Sequence, residues 1–106
     1  MSADAEPCKD ETTITSVMKT VESCVKNVSP YKSDHTWWAK RVADQMRWTP
    51  RCTLDMVPSF LSMVLESYNY YGRDRNQAVD CVKTNLPYPD GKPNEVRVDT
   101  NRTNRE

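Results

Sequence analysis

His35 is the only histidine of the chain, and Ser33 and Asp34 stand just before it. By type these are the parts of a nucleophile–base pair, yet no second histidine and no nearby cysteine completes one. Serine and aspartate ahead of a helical stretch have a simpler use as N-caps, so His35 is expected in a capping or surface position at a helix start. The carboxylates Asp55, Glu66, Asp74 and Asp80 fall on helix starts or solvated faces and form no pair for acid–base work. One histidine and four cysteines without a C-x-x-C pair offer no metal-ligand spacing, and two glycines cannot make a phosphate loop. The expectation is a protein without enzymatic activity, metal or cofactor.

The tryptophans give a stronger lead towards binding. All three lie within "SDHTWWAKRVADQMRW". On a helix with Trp37 set at zero, Trp38, Ala39, Val42, Ala43 and Met46 fall between about 100° and 240°, a core face. Trp37, Arg41, Asp44 and Trp48 fall within about 40° of zero, on the opposite side. Arg41 lies between the two outward indoles in sequence, at spacings that allow a cation–π contact with either. Tryptophan and arginine dominate interface hot spots, so Trp37, Arg41 and Trp48 are the expected contact surface for a macromolecular partner. The competing reading is that the N-terminal arm or the C-terminal tail covers them. Tyr70 and Arg73, in "SYNYYGRDR", are lesser partner-binding candidates, with Tyr68 and Tyr71 expected on the core side and Tyr70 free.

A second reading is an extracellular carrier of a small apolar ligand, with Met18, Met46, Met56 and Met63 lining an adaptable cavity. Methionines at helical spacing are more commonly plain core filling. The two cysteines four residues apart that mark the insect odorant-binding family are absent, and saposin-like and secretoglobin-like cysteine patterns do not fit either.

The elements that must position these residues follow from periodicity. Ile14, Val17, Met18, Val21, Val25 and Val28 form a 3,4-spaced stripe that predicts a helix over about 10–28, closed by Pro30. The tryptophan helix spans about 34–48 and begins at Ser33 or Asp34. A third, 50–71, starts with Thr49 as cap and Pro50 in its first turn, with a kink or a new start near Pro58 and Gly72 as its C′ residue. Asp74 with Gln77 resembles a capping box opening a fourth helix over 75–86, on Ala78, Val79, Val82 and Leu86. The fold class is thus all-α, a small disulfide-stapled bundle of about four helices. It divides into an arm (1–9), a helical domain (10–87) and a polar, irregular tail (88–106) expected to be flexible.

With 106 residues and few Leu, Ile, Val and Phe, the core is thin and would benefit from staples. In an up-down-up-down bundle Cys8 and Cys52 share one end, and Cys24 and Cys81 lie towards the other. Cys8–Cys52 with Cys24–Cys81 therefore needs the least chain travel, out of three connectivities. Even, dispersed cysteines in a small chain suggest a secreted, extracellular protein. The opening "MSADAEPCKDE" is polar, which under that reading makes the chain a mature form with its signal peptide removed. Asn101, in Asn101-Arg102-Thr103, is the better glycosylation candidate, since Pro30 follows the sequon at Asn27. A zero net charge gives no argument for nucleic acid, and no run approaches a membrane span.

Overall fold

The fold is taken from a computed structural model, which describes residues 7–87. The tail, the Asn101 sequon and most of the arm lie outside the described residues. Within them the chain forms a 3-10 turn at Pro7–Lys9 and four helices: α1 (Glu11–Cys24), α2 (Lys32–Trp48), α3 (Val57–Ser67) and α4 (Gly72–Asn85). A second 3-10 turn, Leu54–Met56, leads into α3. Contacts join α1 to α2, α2 to α3, α3 to α4 and α4 back to α1, so consecutive helices are neighbours and the first meets the last. The molecule is a small disulfide-stapled helical bundle.

Each helix buries the face its periodicity marks. Ile14, Val17, Val21 and Cys24 of α1 meet Trp38, Ala39, Val42, Ala43 and Met46 of α2. Val57, Phe60, Leu61, Val64 and Leu65 of α3 and Ala78 and Val82 of α4 complete the core. Two disulfides, Cys8–Cys52 and Cys24–Cys81, tie it together as the chain-travel argument expects. The first fastens the N-terminal turn to the α2–α3 connection. The second crosses the α1–α4 seam, the one neighbouring pair of helices not joined by a short loop.

The helix ends differ from the sequence expectation, each for a local reason. Asp10 caps α1 by accepting from the Thr13 N–H at 3.1 Å, and the helix ends at Cys24 because Val25–Val28 tighten into a turn. α2 starts at Lys32, earlier than Ser33 or Asp34 as caps would allow, and its N-cap Tyr31 provides no side-chain bond. Asp34 lies instead in the first turn and accepts from the Ser29 hydroxyl at 2.7 Å, while Ser29 Oγ accepts from the Tyr31 N–H. Thr49 ends α2, its hydroxyl donating to the Gln45 carbonyl, and does not open the third helix. α3 begins afresh at Val57, with Pro58 in the first turn, where a missing N–H costs nothing.

Asn69, not Gly72, provides the left-handed residue after α3, with φ 68°. The Asn69 N–H bonds the Glu66 carbonyl and the Tyr70 N–H the Leu65 carbonyl, the two bonds of a Schellman motif. Gly72, with φ 77°, is the first residue of α4, so that helix starts before the Asp74–Gln77 box and Asp74 falls inside its first turn.

Candidate functional site

Trp38 is 2% exposed and Trp37 and Trp48 are 45% and 64% exposed, so the two sides of α2 divide the indoles as the helical map requires. Trp38 sits at the centre of an aromatic group. Tyr70 meets it edge-on at 5.2 Å and 74°, and Tyr68 and His35 are tilted against it at 6.4 Å. On the outside the Trp37 Nε1–H donates to the Tyr68 hydroxyl, joining α2 to the residue that ends α3. Tyr68 thereby roofs Trp38 and braces Trp37, and Tyr71, also exposed, donates its hydroxyl to the Glu66 carbonyl at the same end.

Trp48 stands eleven residues on, about 16 Å along the axis at 1.5 Å per residue. Its end of α2 is held firmly. The Lys9 ammonium donates to the carbonyls of Met46, Arg47 and Thr49 at 3.3, 2.6 and 3.1 Å, satisfying acceptors that a helix C-terminus leaves open. Arg47 places two nitrogens on the Glu11 carboxylate and a third near Asp44. The hydrogen bond from Arg47 holds the Glu11 carboxyl below its ordinary range and, reciprocally, raises the guanidinium's pKa. Arg41 is exposed between the two indoles and takes part in no ring contact or ion pair among the described residues. The outward face of α2 therefore carries a braced Trp37–Tyr68 pair, an extended cation and a second indole on a clamped helix end.

Three tyrosine positions are the reverse of the sequence expectation. Tyr70 is half-buried on the core and Tyr68 and Tyr71 are exposed, because the Schellman turn swings the residue after Asn69 back over α3. Arg73 is exposed in the first turn of α4.

His35 is corrected as well: it is only 8% exposed and caps no helix. Its Nε2 lies 2.7 Å from the Ser29 carbonyl oxygen, which can only accept, so Nε2 carries the proton. Ser29, His35 and Asp34 are thus gathered without forming a triad, since the imidazole addresses the serine's backbone and the hydroxyl donates to Asp34. Ser29 was invisible as a partner because it lies before the helix.

Among the described residues no cysteine is free, no three His, Cys, Asp or Glu side chains gather as metal ligands, and no helix is long and apolar enough to cross a membrane. Met46 fills the core, Met18 and Met56 pack against it, and Met63 is 53% exposed. No protein-family model, curated protein or solved structure matches the chain.

Proposed function

We propose that this is a secreted, non-enzymatic protein that binds a macromolecular partner, a protein or receptor, through the outer face of α2. The observation that carries the proposal is the pair of exposed indoles, Trp37 and Trp48, on one side of a helix anchored at both ends. A tryptophan buries about 150–250 Å² when covered, so two of them in water leave a large favourable area to whatever docks there. Their rigidity lowers the ordering cost of binding, and Arg41 between them, unpaired among the described residues, offers a guanidinium for a carboxylate or an aromatic ring. Tyr68, braced by Trp37, extends the surface; Arg73 lies outside its centre. The two disulfides support an oxidising, extracellular setting. A carrier of an apolar ligand draws no support from the two surface recesses near α1, whose walls carry lysine, serine and threonine side chains.

The test is differential capture from the extracellular fluid of the source, followed by reconstitution with the purified partner. Wild type and a control altered on α4, such as Lys83→Gln, should retain the partner. Trp37→Ala and Trp48→Ala should each weaken it by about tenfold or more while keeping helix content. Equal affinity in the double variant sinks the proposal.

A further inference from the structure

A second surface feature lies apart from the tryptophan face, where the end of α1 faces the start of α2. It is a recess of about 530 Å³, within the range of small-molecule sites. We propose that this recess binds a small, soluble, multiply charged phosphate or sulfate ester.

Charge is the first reason. Lys19, Lys26 and Lys32 surround the recess and Glu22 is the only acid in its wall, so three positive charges meet one negative in a chain whose formal net charge is zero. None of the three lysines has a hydrogen-bond or ion-pair partner among the described residues. Glu22 pairs with neither Lys19 nor Lys26, although it lies three residues from one and four from the other; the ion pairs present are those of Arg47 and Arg75. Three ammonium groups with no acidic partner among the described residues thus surround one hollow, and a multivalent anion complements them.

The floor is the second reason. His35 forms part of the wall and is only 8% exposed. Its Nε2 is fixed on the Ser29 carbonyl, and Nδ1 has no partner among the described residues. In the neutral ring Nδ1 is an acceptor, suited to a ligand hydroxyl beside the anionic group. A buried ring nitrogen without a partner among the described residues is a mark of a site, because leaving it unsatisfied costs free energy. The carbonyl that holds the ring belongs to Ser29, which is itself bonded to Asp34 and Tyr31. Ser23 and Thr36 add hydroxyl groups. The start of α2 brings the positive end of a helix dipole to the same place, offset in part by Asp34 in its first turn. No tryptophan or tyrosine lines the recess, so a nucleobase finds no large ring to stack on, and an ester of a polyol fits better.

The experiment is an amide NMR titration with inorganic pyrophosphate at low ionic strength. Saturable shifts are expected at Lys26, at Ser29 and in the first turn of α2, weakening as sodium chloride is added. The variant Lys19→Gln/Lys26→Gln/Lys32→Gln should bind about tenfold more weakly or worse while keeping its amide dispersion, and Lys40→Gln, outside the recess, should bind as wild type. Vesicles of phosphatidylcholine with phosphatidylinositol bisphosphate form the second arm. Absence of saturable shifts, equal binding in the triple variant, or binding to the vesicles without binding to pyrophosphate would each overturn the proposal. Because Trp37 and Trp48 are not involved, the result is independent of the partner surface on α2.

Discussion

Around Trp38, side chains of quite different polarity come together: the rings of Tyr70, Tyr68 and His35. Each polar member keeps a route to a partner or to solvent, His35 through the Ser29 carbonyl and Tyr68 through Trp37. Burial of polar atoms is tolerated on that condition. The two faces of α2 should therefore separate in stability. Trp38→Ala removes the largest fully buried side chain and is expected to cost about 3–5 kcal/mol by urea denaturation. Trp48→Ala removes an exposed ring and should stay within about 0.5 kcal/mol of wild type. A comparable loss in both would mean that Trp48 is packed, and would close the proposed contact face. The 3.6-residue period already distinguished Trp38 from Trp48, and it also placed His35 at about 160° on the same wheel, inside the core arc. The position of His35 was legible; its residue type argued the other way, because the carbonyl that satisfies it comes from outside the helix.

At the scale of elements, stripes set where helices pack, while partners at their ends set where they stop. α2 illustrates both ends: its start is arranged through Ser29 and its finish through Lys9, which lies 38 residues before Arg47. The end of α3 is local and so more tractable. Asn69 occupies the left-handed region, which asparagine tolerates better than most residues and glycine best of all. Asn69→Gly should be neutral within a few tenths of a kcal/mol, whereas Asn69→Ala should lose about 1 kcal/mol and loosen Tyr70 from Trp38. Thermal melts together with tryptophan fluorescence check this. If alanine melts like glycine, the turn does not hold Tyr70. The sequence around Gly72 misled for a physical reason: either glycine or asparagine serves after a helix, and only the path of the chain into α4 shows which residue was used.

For the molecule as a whole, the thin core makes cross-links important. The disulfides close separations of 44 and 57 residues, and in the chain-entropy picture each contributes about 4 kcal/mol by restricting the unfolded chain. Together that rivals the about 5–15 kcal/mol of a typical domain. Reduction under native conditions should therefore lower the melting temperature by more than about 20 °C or abolish the cooperative transition at 37 °C, read by far-UV circular dichroism. A reduced protein that melts within a few degrees of the oxidised one would show that the four helical faces suffice. Single replacements should differ in kind: losing Cys24–Cys81 frees the α1–α4 seam, while losing Cys8–Cys52 frees the N-terminal turn that delivers Lys9 to α2.

The sequence by itself determined the helical class, the face each helix buries and the side of α2 on which each tryptophan stands. These depend on spacing within one segment, which local geometry converts directly into direction. It also favoured, among three connectivities, the disulfide pairing that the structure has, because short loops make neighbouring helices antiparallel and bring those cysteines to the same end. Tertiary structure alone decided the helix ends, the burial of His35, the inward turn of Tyr70 and the bond from Trp37 to Tyr68. Each of these is a polar group finding a partner or a turn folding back on its helix. The recess with three lysines was equally hidden, since Lys19 and Lys32 become neighbours only when α1 folds back against α2. A side chain's direction is written in its own segment, but what it meets there depends on the rest of the fold.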